Sequence, residues 1–201
     1  MSKVFSAHAV SVDGYISGRT PGGGEETGRG LGDAPMLFDW YMNGDTPSQV
    51  FGGFKLSEPS ARLFDAYAAR VGAAVAGRIT YEHSSHFGGG SPHPTARLVV
   101  LSHRPVPQIG ERQRLVTTGI EDAIAAAREI AAGKDVALMG GGVTTAALAE
   151  GLVDELVLHQ VPILLGGGRP FFQALPGHVR LNLLEVIPAP GVTHLHYEVV
   201  R

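Results

Sequence analysis

The chain begins with alternating apolar and polar positions over residues 3–10, the period-two pattern of a half-buried strand, closed by a turn at Asp13-Gly14. A helical period takes over after Ser57-Glu58-Pro59, where a serine suited to capping precedes a proline tolerated in a first turn. Leu63, Phe64, Tyr67, Ala68 and Val71 then share one face, and Gly72 is expected to stop the helix. From there the two periods alternate. Residues 73–76 read as a short buried strand and 78–86 as one or two helical turns. Strands follow at 97–101 and 115–117, then an alanine-rich helix over 121–132 stopped by Gly133. Residues 136–139 form a strand that runs into Gly140-Gly141-Gly142, with a helix over 143–150 behind it. A long strand over 156–165 carries Pro162, which cannot donate to a ladder and so points to an edge or a bulge. The last apolar runs, 181–187 and 194–200, are placed to pair as an antiparallel hairpin.

This alternation predicts an α/β fold, a mainly parallel sheet with helices on both faces and an antiparallel C-terminal edge. With 201 residues and no repeat or internal boundary, residues 1–201 are expected to form a single domain. Residues 18–35, rich in Gly, Pro and Thr, read as a long loop.

Composition narrows the chemistry. The absence of cysteine excludes a disulfide framework and thiolate catalysis, and it fits a reducing cytoplasm. No apolar run reaches the roughly 20 residues of a membrane span. The opening MSKVFSAHAV has no signal-peptide core, so a cytoplasmic protein without a membrane partner is expected. The net charge is −3 and the sixteen Lys and Arg residues are scattered, so no basic stripe marks a nucleic-acid partner. A small anionic ligand held by local arginines stays open. The chain carries 28 glycines, about twice the usual share. Those at 22–24 and 88–90 read as surface loops. Those at 140–142 and 166–168 follow apolar runs, where a glycine lets backbone approach a ligand.

Three strand ends carry anion-binding chemistry. Gly140-Gly141-Gly142 precede a helix N-terminus, whose free N–H groups and dipole favour a phosphate, and Thr144 and Thr145 add hydroxyls. A tight turn without a ligand explains the same glycines. Gly77-Arg78-Ile79-Thr80 places a guanidinium fork and a hydroxyl at another strand end; an ion-paired surface arginine and an ordinary cap explain them equally. Ser102-His103-Arg104 repeat the theme after the next strand.

Together GRITYE, VVLSHRP and MGGGVTTAALAEGLVDELVLHQVPILLGGGRPFF resemble the RibD C-terminal, dihydrofolate reductase-like reductases, and SVDGYISG resembles that family's opening segment. The resemblance runs from Lys3 to Val200, with residues 18–55 lacking a clear counterpart. It implies a dihydrofolate reductase-like three-layer α/β/α domain with NADPH across the sheet's carboxyl edge. By position, Gly77, Arg78 and Thr80 would serve the cofactor phosphates, and Ser102, His103 and Arg104 the adenosine 2′-phosphate. Gly140, Gly141, Gly142, Val143 and Thr144 would hold the pyrophosphate, and Ile16 and Ser17 would border the nicotinamide. Two arginines, Arg78 and Arg104, favour NADPH over NADH. Related reductases are usually dimers, and apolar residues around Pro162 on a strand read as an edge suggest a homodimer built through residues 156–165 and the segment after them.

The implied activity is reduction of a small heterocycle, as in the phosphoribosylaminouracil reductase of riboflavin biosynthesis. A pterin or carbonyl reductase is the alternative, and a non-catalytic NADP-binding module a third. Dihydrofolate reductases carry a substrate-binding carboxylate on the helix before GRxT. Here that register falls near Ala61 and Arg62, with Glu58 and Asp65 out of step, which counts against folate. Asp13 is a candidate acid or simply a turn carboxylate. Asp39 and Trp40 are a candidate substrate patch, Trp40 being either a stacking platform or a core anchor. Phe171 and Phe172 read as a short helix packed inward or across an interface. The nine histidines lack a metal-site spacing, so no metal is expected and solvated or capping roles are.

Overall fold

The computed structural model describes residues 2–19, 30–106 and 109–200, so the glycines at 22–24 lie outside the described residues. Eight strands form one sheet. They are β1 (Val4–Ser11), β2 (Val71–Gly77), β3 (Arg97–Leu101), β4 (Gln113–Val116), β5 (Asp135–Met139), β6 (Glu155–Val161), β7 (Leu181–Ala189) and β8 (Val192–Val199). Their order is β7-β8-β6-β1-β5-β2-β3-β4. Every pairing from β6 to β4 is parallel, whereas β8 runs antiparallel to β6 and β7 antiparallel to β8. The parallel sheet and the antiparallel C-terminal hairpin are as the alternation predicted.

Helices cover both faces. Successive β1 residues point oppositely, so Val4 packs with α3 (Ile120–Ala131) and α4 (Gly141–Ala149), while Phe5 packs with α1 (Glu58–Arg70). The α3 face is built from Ala123, Ile124, Ala126, Ala127 and Ala131, small enough to approach the strands closely. Gly72 serves that approach rather than stopping α1. The helix ends at Arg70 and the strand begins at Val71, so Gly72 is extended, and a Cβ on it would lie 2.6 Å from the Ala131 carbonyl oxygen. Ser57 likewise makes no side-chain cap; its hydroxyl turns to Ser60 instead.

The long strand read over 156–165 ends at Val161 and lies inside the sheet, paired on both sides. Its polarity pattern is that of a strand buried on both faces, and Pro162 lies just past its end. Pro162 therefore marks no edge of the sheet, and residues 156–161 cannot supply a dimer contact through a free edge. The exposed edge of the hairpin is β7, which turns Leu181, Leu183, Leu184 and Val186 to solvent. Phe171 is buried, Phe172 is exposed, and no helix forms there.

The amino end of the sheet is tied by charge. Glu155, 3% exposed, is bonded by Lys3, by Arg70 at 3.2 Å and by the Tyr67 hydroxyl at 3.2 Å, and Arg70 also reaches Asp135 at 2.6 Å. Burial alone would raise the Glu155 carboxyl, but His196, Lys3 and Arg70 hold it well below the usual carboxylate range. This leaves the carboxyl end for binding chemistry.

Candidate functional site

Adjacent strands β1, β5, β2 and β3 bring their carboxyl ends into one row. After β5 comes the glycine turn of α4, after β2 comes α2 (Arg78–His83), and after β3 comes Ser102-His103-Arg104. The three predicted anion-binding segments therefore share an edge. The first two touch: a Cβ on Gly77 would meet Val143 Cγ1 at 3.2 Å, and one on Gly140 would overlap the Thr80 hydroxyl.

The glycine turn is held from within. Gly140 (φ +97°) donates its N–H to His8 Nε2 at 2.8 Å, and its carbonyl accepts from the Thr144 N–H at 3.2 Å. Thr144 is fully buried, its hydroxyl bonded to Ser6 Oγ at 2.8 Å and to the Gly140 carbonyl at 3.0 Å. Thr144 and Gly140 thus set the turn, and the amides left for a ligand are those of the first turn behind them. Gly142 is exposed there, with nothing closer to its Cβ position than Gln173 Nε2 at 3.8 Å. Arg78 donates from Nη1 to both carboxylate oxygens of Glu82 at 2.9 and 3.0 Å, whereas Arg104 is exposed and has no ion pair among the described residues. His103 is exposed and bonded to the Thr117 carbonyl, and buried Ser102 closes a local turn with Arg104. Open amides at a helix N-terminus with an unpaired guanidinium on the same edge fit the phosphates of a dinucleotide.

Beside this edge, between the sheet and α1, lies a cavity of about 420 Å³. Ala7, His8 and Ala9 of β1 and residues 137–140 form one side, and Phe64, Tyr67 and Ala68 of α1 another. Phe38, Tyr41, Phe51 and Phe54 extend the aromatic wall; Ile16, Ser17, Thr80, His83 and Arg169 line the part nearest the glycine turn. Of the predicted residues, Ile16, Ser17, Thr80 and Gly140 border this cavity.

Others lie elsewhere. Trp40 is 1% exposed, stacked on Tyr41 at 3.8 Å, and is a core anchor; Tyr41 rather than Trp40 faces the cavity. Asp39 is exposed outside it. The Asp13 carboxylate accepts from the Ser11 hydroxyl at 2.6 Å and from the amides of Leu165 and Gly166 at 3.1 and 2.7 Å. The Ser11 hydroxyl and those amides hold it below its usual range, as befits an ionised staple between two loops.

Sequence reasoning missed His8, His159 and Arg169, and the phenylalanines at 51, 54 and 64. A histidine interrupting an apolar strand, as in SAHAVS and LVLHQV, was the available signal. The histidines are more buried than expected: His93, His159 and His194 are all below a tenth exposed. His194 Nδ1 lies 2.8 Å from His159 Nδ1, and His194 Nε2 lies 2.9 Å from Ser60 Oγ. Among the described residues no group of three potential ligands is placed to hold a metal.

Burial pushes His8 down to about 4, partly opposed by its bond to the Leu138 carbonyl, and pushes His194 down to about 4 as well. A histidine unfolds to a pKa of about 6.5, so below that pH the unfolded chain binds protons that the folded chain refuses. Stability contributed by these groups is therefore full above about pH 6.5 and falls as the pH drops toward 4. His8 alone is expected to cost about 2 kcal/mol at pH 5 relative to pH 7. Urea midpoints at the two pH values measure this, and equal midpoints would contradict a neutral buried His8.

Comparison with known proteins places this geometry. The RibD C-terminal domain model matches residues 2–194. The crystal structure of a candidate riboflavin biosynthesis protein from Shewanella sp. PV-4 is 28% identical, with a TM-score of 0.70 over the whole of both chains. Dihydrofolate reductase from Enterococcus faecalis, complexed with NADP(H) and RAB-propyl, shares the fold at 15% identity and a TM-score of 0.61, covering 99% of this chain and 97% of that one. Acinetobacter baumannii RibD shares it at 18% identity and 0.59, and this chain spans 58% of its length. The uncharacterised YwjB of Bacillus subtilis strain 168 is 25% identical over 128 residues, 63% of this chain and 73% of that protein.

Proposed function

The chain belongs to the RibD C-terminal domain family, and on that premise we propose that it is an NADPH-dependent reductase of a small heterocyclic compound. The observation that carries the reading is the junction of an aromatic cavity with an edge of open amides and an arginine without an ion pair among the described residues. Gly142 and Val143, at the start of α4, would hold the pyrophosphate with Gly77, Arg78 and Thr80 alongside. Ser102, His103 and Arg104 would face the 2′-phosphate, and Ile16 and Ser17 the nicotinamide. NADPH, when bound, supplies the hydride. The chain's own residues orient the acceptor, exclude water from the apolar cavity and donate hydrogen bonds to it. Asp13 has no part in this, because its carboxylate is committed to two loop amides.

Oxidation of NADPH with a panel of pyrimidine, pterin and carbonyl acceptors tests the proposal. Consumption with at least one acceptor is expected, and failure to bind NADPH would overturn the reading. Dihydrofolate should be a poor substrate. The α1 residues facing the cavity are Phe64, Tyr67, Ala68 and its C-terminal neighbour Val71, and no carboxylate lines it among the described residues. Asp65 instead binds Ser48 and Gln49. Turnover of dihydrofolate at an ordinary rate, on the order of 10 per second, would contradict this.

The homodimer is retained with a different surface. Leu181, Leu183, Leu184 and Val186 on the unpaired edge strand β7 form the apolar stretch most in need of cover. Light scattering at micromolar concentration is expected to give about twice the 21.1 kDa chain mass, and a monomer there would remove the proposal.

A further inference from the structure

The cavity has an unusual charge balance for a family whose riboflavin-pathway substrate is phosphorylated. Among the described residues lining it, Arg169 carries the one permanent charge. Arg169 sits at the glycine-turn end, paired with Ser17 in a short ladder and bonded to His83 Nδ1 at 3.3 Å. The opposite part is walled by Tyr41, Phe51, Phe54, Phe64 and Tyr67. A phosphate dianion placed among those rings would lose its water and gain no cation, whereas a flat ring would gain stacked and edge contacts.

The ring of His159 also lines the cavity, at the end of a hydrogen-bonded chain. The Ser57 hydroxyl donates to Ser60 Oγ at 2.9 Å. Having accepted that hydrogen, Ser60 has its own to offer His194 Nε2, 2.9 Å away. Burial keeps both histidines neutral, so each ring carries one hydrogen. With Ser60 donating, that of His194 is on Nδ1, directed at His159 Nδ1 2.8 Å away. In that arrangement His159 carries its hydrogen on Nε2, which has no partner among the described residues while the ring lines the cavity. The two rings stand at 88°, with Trp40 packed against both at 4.8 and 5.1 Å, so the chain is held rigid. A fixed donor in an apolar wall selects for an acceptor on the ligand.

Resting on the reductase reading above, we infer that the cavity takes a flat, uncharged, unphosphorylated heterocycle that presents a carbonyl oxygen or ring nitrogen to Nε2–H of His159. His159 is then the specificity-determining donor, and Ser60 and His194 are positioning residues that set its tautomer. The acceptor atom it grips is polarised toward reduction by the same hydrogen bond.

Binding of three probes tests this, read by calorimetry and by emission of Trp40, which stacks on a cavity-lining ring. The probes are lumazine (flat, with carbonyls), naphthalene (flat, without an acceptor) and uridine 5′-monophosphate (a phosphorylated pyrimidine nucleoside). Lumazine is expected to bind about 3- to 10-fold more tightly than naphthalene, the worth of one neutral hydrogen bond, and uridine 5′-monophosphate more weakly than either. Ser60→Ala should erase the difference between lumazine and naphthalene while leaving naphthalene unchanged. In ¹⁵N spectra of the histidines, His159 should carry its hydrogen on Nε2 in the native chain and lose that preference in Ser60→Ala. Equal or tighter binding of uridine 5′-monophosphate, or a His159 hydrogen on Nδ1, would overturn the inference. Lumazine binding without any NADPH binding would instead overturn the reductase reading and leave this one standing.

Discussion

Gly141→Val is expected to lower stability by about 3 kcal/mol and abolish dinucleotide binding at the same time. Gly141 opens α4 and is buried. A Cβ there would overlap the carbonyl oxygen of Phe171 and lie 2.9 Å from that of Pro170. Backbone cannot step aside as a flexible side chain would, so either residues 170–171 or the start of α4 must move. Phe171 is buried against His8, whose ring holds the Gly140 N–H, so displacement at one point loosens the whole turn. From sequence alone the same substitution is a steric block to the pyrophosphate in an intact protein; the fold makes it a packing defect as well. Gly142→Ala is the matching control, since its side chain would make only an ordinary contact with Gln173 Nε2 at 3.8 Å. It should leave the melting temperature within a few degrees and weaken NADPH alone. A wild-type melting temperature and wild-type NADPH affinity in Gly141→Val would refute the account.

Arg104→Ala should weaken NADPH about 10-fold and leave NADH nearly unchanged. Loss of one charge-assisted hydrogen bond costs about 1.5–3 kcal/mol, and the lower end applies to so exposed a group. Arg78→Ala is expected to do less, because Glu82 already offsets its charge at 2.9 Å. Calorimetry with both cofactors at one ionic strength decides the matter. Equal losses for NADPH and NADH in Arg104→Ala would remove this residue from the 2′-phosphate.

The strands and helices of this fold were legible because each announces itself within a few residues. RLVVL and DVALM became β3 and β5, and the alanine-rich run became α3, closed by Ala132 at φ +50° and Gly133 at φ +90°. The glycine turn was legible for the same reason: an apolar strand, then glycines, then a helix. The roles of particular residues within these elements were less so. Gly72 looked like a helix stop and proved to be a clearance for α3. Pro162 looked like the mark of an edge and proved to lie beyond the end of an interior strand.

What the chain determined on its own, through period and punctuation, was the sequence of elements, the parallel sheet with its final hairpin, and the three strand ends that carry the candidate anion-binding residues. Strand order was not among these, since it depends on which distant segments pair, and local period is silent on that. Only the tertiary structure set β6 between β1 and β8, which opposed His159 to His194 across two strands. It also folded the stretch containing Phe51 and Phe54 against α1, walling a cavity from residues that have no periodic relation to one another. It buried Trp40 and turned Tyr41 to the cavity, a choice between neighbours that their similar chemistry leaves open. Hydrogen-bond direction and burial are properties of positions in space, and so the donor at His159 has no counterpart in the one-dimensional pattern.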